Sequence, residues 1–489
     1  MIVALDAGTT GVRAVAVDET GRPRGYAYRP LTQRYPRPGW VEHDPLEIWA
    51  AAEATLAELA AALDEPVAAL GMAVQRETVV AWRRRDGAPL APAIVWQDRR
   101  GARRCTELAE AGLEPLIRAR TGLVLDPYFS ATKLEWLLRE GGVAAGPDLA
   151  LGTVDSWLLW KLTDGAVHAT DPSNASRTML FDLDAGGWSD ELCARFGVPR
   201  AALADVAPSA SRFGLTAAGG PLGAGVPISG VAGDQQAALF GQACFEPGMA
   251  KNTYGTGSFV LTNLGEARPA PAEGLLTTVA WQLEGRPLQY ALEGAIFVTG
   301  AAIQWLRDGL GIIAEAAEVG PLAASVPDTA GVCFVPAFAG LGSPWWDPYA
   351  RGAIVGLTQG VTRAHLARAV IEAIAYQTRD VTDAMAAVAG RPVGDLRVDG
   401  GASVMDLLCQ IQADQLGAPV SRPRVQETTA LGAAYLAGLA EGVWAGPAEL
   451  AGLWALDRRF EPQATRAEAD AAHRRWLAAL ERSRGWAQE

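Results

Sequence analysis

The chain has 489 residues, past the length at which one hydrophobic core stops growing, so two domains or more are expected. Nearly half of the residues, 49%, are hydrophobic, and the formal net charge is −13. That charge argues against a nucleic acid or an anionic membrane surface as partner, since each asks for a basic face, and leaves a small soluble ligand.

MIVALDAG opens directly on a strand-like run, with no basic segment or long apolar stretch ahead of it. No apolar run in the chain reaches the length of a membrane span, so a cytoplasmic protein is expected. From Ile2 to Gly25 apolar runs alternate with a Gly-Thr-rich turn at Gly8 to Gly11 and a second turn near Glu19 to Arg22, a strand-turn-strand meander. Asp44, Pro45 and Glu47 supply an N-cap, an N1 proline and a capping-box acid, and predict a helix running to Leu63. GMAVQRETVVAW, residues 71–82, reads as a buried strand interrupted by Gln75, Arg76, Glu77 and Thr78. Burying an unpaired charge costs several kcal/mol or more, so Arg76 and Glu77 need a partner outside that strand. APAIVWQDRR adds a further apolar run, while GTVDSWLLWKL, residues 152–162, fits a strand or a helix. The alternation of strands and helices predicts an α/β class.

Residues 4–17, ALDAGTTGVRAVAV, and 251–264, KNTYGTGSFVLTNL, both pass from a polar strand end through a Gly-Thr turn into an apolar strand. This partial repeat predicts two duplicated domains, 1–244 and 245–489, divided where ACFEPGMA places Pro and Gly between periodic segments. Residues 394–417 read as a strand, a Gly-Gly turn and a helix, and TALGAAYLAGLAEG as a helix of small residues. A last helix starts at Thr465 with Glu468 as its capping-box acid and buries Trp476 and Leu480 on one face.

Scarce residue types narrow the chemistry. The three lysines, Lys133, Lys161 and Lys251, lie outside any P-loop spacing, which excludes a Walker-type ATPase. His43, His168, His365 and His473 lack metalloprotease or other close ligand spacing, which leaves a histidine-ligated zinc site without support. No GxSxG elbow or GxGxxG helix opening is present. The five cysteines have no CxxC pair and are expected as free thiols of a reducing compartment.

DAGTT, residues 6–10, can bind phosphate without a lysine: successive backbone N–H groups form an anion nest, Thr9 and Thr10 donate, and Asp6 can hold a hydrated Mg²⁺. A plain hairpin is the competing account of that segment taken alone. YGTGS, residues 254–258, supplies a second such turn, and two of them facing across a cleft would bracket a triphosphate. VDGGAS, residues 398–403, lets backbone approach a flat ring at Gly400 and Gly401, so ATP is the natural ligand of the three turns.

DAGTT, YGTGS and VDGG occur in the order found in sugar kinases of the actin and hexokinase type, and the chain resembles the FGGY family of carbohydrate kinases, above all its members acting on glycerol. The likeness runs nearly end to end, through PGWVEHDP, QRET, AIVWQ, TGLVLDPYFSATK, NASRTMLF, GDQQAALFGQ, MAKNTYGTG, YALEG and ETTALGAAYLAGLA. It implies two ribonuclease H-like ATPase domains around a cleft, and ATP-dependent phosphorylation of glycerol at a terminal hydroxyl with Mg²⁺. By the same resemblance Arg76, Glu77 and Tyr128 bind the glycerol hydroxyls, Gln235 touches glycerol, and Trp96 and Phe259 wall its carbon face. Trp96 and Phe259 also fit as ordinary core aromatics. Asp234 of GDQQ is the implied general base, a role compatible with its capping a helix. Thr9, Thr10, Gly11 and Arg13 fall near the phosphates, with Thr256, Gly300, Gln304 and Gly401 completing the nucleotide set.

Departures from the family pattern are specific. Ala7 and Gly11-Val12 stand where members usually carry Gln and Ser-Ser, removing a hydroxyl near the phosphates, and Met405 stands where an asparagine near the adenine is common. AAGGPLGAGVPISG lacks the basic residue with which some members bind fructose 1,6-bisphosphate, and SASRFGLT lacks a phosphorylatable histidine, so neither regulation is expected. Two other functions compete: a pentulose kinase, which would share the ATP turns but lack the Arg-Glu of QRET, and an actin-like ATPase, which would have no reason to build a polyol pocket. Oligomeric state, a homo-oligomer included, is left open.

Overall fold

The computed structural model describes residues 1–487 and holds two large mixed sheets. The first orders Ala210–Leu215, Pro227–Gly233, Ala69–Val74, Ile2–Ala7, Gly11–Val17 and Pro23–Pro30. The second orders Leu276–Trp281, Gln289–Ile296, Ser258–Gly265, Ala250–Tyr254, Leu396–Asp399, Val420–Pro423 and Leu456–Phe460. Within each, a three-stranded antiparallel meander is joined through its first strand to two parallel strands. The same five-strand pattern therefore occurs twice, and the two Gly-Thr hairpins of the internal repeat occupy equivalent places in it. A smaller sheet of Glu42–His43, Ala93–Ile94, Val79–Arg83 and Leu149–Thr153 sits beside the first.

Three sequence expectations change here. GMAVQRETVVAW is not one strand: Ala69–Val74 belongs to the first large sheet and Val79–Arg83 to the small one, and Gln75–Thr78 is the crossover between them. Both arms are buried, so hydrophobic pattern alone does not separate them. Glu47 does not close a capping box: Asp44 caps the helix Pro45–Ala61 by accepting from the Leu46 N–H, while the Glu47 carboxylate accepts from Thr32 N at 2.8 Å. GTVDSWLLWKL is both strand and helix, with Leu149–Thr153 passing directly into Val154–Leu162. That helix is buried nearly all round, which erases the 3.6-residue periodicity. The last helix, Arg466–Leu480, carries the expected Thr465–Glu468 capping box and buries Trp476 and Leu480.

Between the large sheets cross the helices Asp234–Gly241 and Thr428–Ala440. Their backbones touch: a Cβ at Gly432 would lie 1.8 Å from the Ala237 carbonyl oxygen, and one at Gly241 would lie 1.9 Å from that of Thr428. Small residues in TALGAAYLAGLAEG thus let a late helix lie against the first sheet. Gly432→Ala is expected to destabilise by at least the about 1–3 kcal/mol of an overpacked core, because rigid backbone must move. Gly452→Ala, where a Cβ meets nothing within 4 Å, is the control, and thermal denaturation compares them. Equal melting temperatures would contradict the tight crossing. No helix among the described residues is long and apolar enough to cross a membrane.

Candidate active site

Three parallel strands of the first sheet end level with one another, Ala7 in register with Val74 and Val74 with Gly233. The segments that follow them emerge side by side at the carboxyl edge, where open α/β sheets place their ligands: the 8–10 turn, the QRET crossover and Asp234. Gln75 links the first two, donating from its backbone N–H to Ala7 O at 2.8 Å and from Nε2 to Gly8 O at 3.1 Å. The second sheet repeats the arrangement, with Thr253 in register with Asp399 and the YGTGS and GGAS turns following them. A Cβ at Gly400, whose φ is +83°, would meet the Tyr254 carbonyl oxygen at 2.6 Å, so these two turns are in backbone contact.

Arg76 and Glu77 find their partners in other parts of the chain. Arg76 forms an ion pair with Glu293 of the strand Gln289–Ile296, and Arg177 donates from Nε to Glu77 Oε1 at 2.6 Å and from Nη2 to Glu293 Oε1 at 2.8 Å. Two cations and two anions, all buried, thus balance within one cluster. Burial opposes the charge on Glu293, yet Arg177 and Arg76 on either side hold its carboxyl below the usual range. Burial prevails at Glu77 and raises it despite Arg76 and Arg177. Arg76 also reaches Asp234 Oδ1 from Nε at 3.3 Å, Gln236 Oε1 from Nη1 at 3.2 Å and the Tyr128 hydroxyl from Nη2 at 3.3 Å. Glu77 adopts a φ of 60°, uncommon for a residue with a side chain, and Ser130 Oγ donates to its carbonyl at 3.1 Å.

The expected aromatic residues gather on this cluster. Trp96 lies edge-on to Tyr128 at 5.6 Å and to Phe259 at 6.4 Å between centroids, and the Arg76 guanidinium sits 5.4 Å from the Phe259 ring. Lys133, buried with no carboxylate in ion-pairing distance among the described residues, donates to the carbonyls of Pro127, Tyr128 and Phe129 and so pins the bend carrying Tyr128. Trp96 Nε1 donates to Thr9 Oγ1 at 2.8 Å, which leaves the Thr9 hydroxyl proton free for another acceptor.

Of the expected nucleotide residues, Thr9 and Thr10 lie at the first turn, Thr10 exposed. A Cβ at Gly11 would fall 2.4 Å from the Tyr28 hydroxyl, so the packed tyrosine accounts for a missing side chain there. Arg13 departs from expectation in having its charge already engaged, paired with Asp6 at 3.5 Å and with Glu427. Asp6 is nearly buried, and burial, reinforced by Asp234 and Glu427 against Arg13, pushes its carboxyl up to about 7. Gly300 opens the helix Gly300–Asp308 against the second turn, its N–H donating to Gly255 O at 3.0 Å and that of Ala301 to Thr256 O at 3.1 Å. Thr256 and Gln304 are exposed, Gln304 one helical turn after Gly300 on the same face. A Cβ at Gly401 would meet nothing within 4 Å, whereas Met405 packs its thioether toward Gly320.

Arg177, Glu293, Lys251 and Glu427 were not singled out from sequence. A signal existed for the first two: each is a lone charge in an apolar or small-residue run, as in QRET. Among the described residues no group of three or more His, Cys, Asp and Glu is placed to hold a metal unaided.

The chain matches the N-terminal domain model of the FGGY family of carbohydrate kinases over residues 1–241 and the C-terminal domain model over residues 250–441. A glycerol kinase of Bordetella parapertussis is 54% identical to it over 100% of this chain and 98% of the relative. Glycerol kinase 2 of Thermotoga maritima is 54% identical over 99% of both. The crystal structure of Plasmodium falciparum glycerol kinase with ADP superposes with a TM-score of 0.93 at 32% identity, covering 99% of this chain and 98% of the other. A xylulose kinase from Lactobacillus acidophilus shares the fold at a TM-score of 0.88, with 21% identity and 98% and 97% covered.

Proposed function

The chain belongs to the FGGY family of carbohydrate kinases, and we propose that it is a glycerol kinase, transferring the γ-phosphoryl group of ATP to a terminal hydroxyl of glycerol to give sn-glycerol 3-phosphate and ADP. The observation that carries this reading is the contact of Arg76 with Asp234 inside an aromatic-lined cluster at the carboxyl edge of the first sheet. Donor-only guanidinium and acceptor-only carboxylate side by side suit hydroxyls, which both give and take hydrogen bonds.

In this mechanism Arg76, Glu77, Tyr128 and Gln235 orient the polyol while Trp96 and Phe259 face its carbons. Arg76 Nε and the Gln235 N–H both engage Asp234 Oδ1, leaving Oδ2 to take the proton of the attacking hydroxyl. Thr9, Thr10 and the paired turns receive the phosphates. Mg²⁺ is bound through few carboxylates plus phosphate oxygens and water, and Asp6, at the end of the strand Ile2–Ala7, would supply the carboxylate. When bound, the ion neutralises charge on the phosphoryl oxygens. The division at 244/245 puts the acceptor site, the first phosphate turn and Asp234 in one half and the rest of the nucleotide site in the other, with Phe259 and Glu293 crossing into the acceptor pocket. Five free cysteines support a cytoplasmic setting.

ADP release from ATP, measured with and without millimolar glycerol, tests the proposal, and release is expected to depend on glycerol. Equal release without it would favour an actin-like ATPase, and release driven by a pentulose but not by glycerol would favour a pentulose kinase.

A further inference from the structure

Lys251 is one of three lysines in the chain and is fully buried on the strand Ala250–Tyr254. No carboxylate lies within ion-pairing distance of it among the described residues, and burial pushes its ammonium down to about 8. Its Nζ donates to Gln235 Oε1 at 2.5 Å and to Thr253 Oγ1 at 2.8 Å. An ammonium donates and never accepts, so it dictates the orientation of the amide it meets. With Oε1 turned to Lys251, the Gln235 NH₂ group faces away from it and donates to no group of the described residues. Gln235 follows Asp234 directly, and Thr253 directly precedes the YGTGS turn. Lys251 and Thr253, two apart on one strand, share a face, and that strand packs against the helix Asp234–Gly241.

We propose that Lys251 is a positioning residue for phosphoryl transfer, holding the Gln235 amide as a hydrogen-bond donor to the acceptor substrate and linking it to Thr253 at the root of the phosphate turn. The inference rests on the reading that Gln235 faces glycerol. An amide freed from Lys251 can rotate and present its oxygen instead, so acceptor binding suffers before nucleotide binding does. The substrate group at this point must accept a hydrogen bond.

Steady-state kinetics of Lys251→Met, Lys251→Arg, Gln235→Leu and the Lys251→Met/Gln235→Leu pair provide the test, beside thermal denaturation. Lys251→Met is expected to raise the glycerol KM by about tenfold or more, the scale of a misdirected buried hydrogen bond, with the ATP KM little changed and no fall in melting temperature. Lys251→Arg should recover part of the loss. On the Gln235→Leu background Lys251→Met should have almost no further effect. An unchanged glycerol KM, or the same factor on both backgrounds, would overturn the proposal. Gln235→Glu provides a second route if Lys251→Met fails to fold: a buried ion pair with Lys251 should raise the melting temperature while the lost NH₂ donor raises the glycerol KM. A melting temperature that does not rise, or a glycerol KM that does not, would equally overturn it. Absence of glycerol-dependent turnover in the unmodified enzyme would instead sink the glycerol reading itself, and is scored separately.

Discussion

Asp234→Asn is expected to lower kcat by about 10²- to 10⁴-fold, the usual contribution of a positioned general base, with glycerol and nucleotide binding close to the unmodified enzyme. The geometry sets up this split. Oδ1 is engaged by Arg76 Nε at 3.3 Å and by the Gln235 N–H at 2.7 Å, both donors, so an asparagine keeps its oxygen there and turns its NH₂ toward the substrate. The variant therefore retains shape and one acceptor but cannot take a proton. Phosphoryl transfer through a loose transition state leaves the proton on the nucleophile until late, which places the loss toward the lower part of that range. Calorimetric glycerol binding beside steady-state turnover decides the matter. Normal turnover would remove Asp234 from the base role, and abolished binding would make it a ligand residue first.

Glu77→Ala should raise the glycerol KM by about 10²-fold or more, on the scale of a site whose buried polar groups lose a hydroxyl partner, while an ATP analogue still binds. It should also destabilise the protein. Without Glu77, Arg177 keeps only Glu293, which it shares with Arg76, and breaking a buried ion pair in this way costs about 3–5 kcal/mol. Glu77→Gln separates the two effects, since its amide oxygen can still accept from Arg177 Nε. The glycerol defect should persist in that variant, with a smaller fall in melting temperature. Unchanged glycerol saturation in both variants would refute the assignment of Glu77 to the acceptor site.

The charged interruption in QRET was legible because a charge in an apolar run is conspicuous whatever the fold. Its surroundings were not. The partners Glu293 and Arg177 lie 217 residues from Arg76 and 100 residues from Glu77, and Glu293 comes from the other large sheet. Lys251 gave a weaker signal still, since one lysine beside a glycine turn reads as an ordinary surface residue until its burial is seen. The same limit explains the strand boundary missed at Val74, where two arms of equal burial enter different sheets.

From sequence alone came several features that depend on neighbours a few residues apart: the α/β alternation, the two Gly-Thr hairpins and their repetition, the cap of the final helix, and the absence of a P-loop lysine. Backbone conformation and side-chain periodicity are local properties, so a linear reading reaches them. Tertiary structure alone decided which buried charge faces which, that Arg13 is taken up by Asp6 and Glu427, and that Lys251 turns Gln235. A buried ion needs compensation within about 4 Å, and packing of distant segments, not their spacing along the chain, determines what lies within that distance.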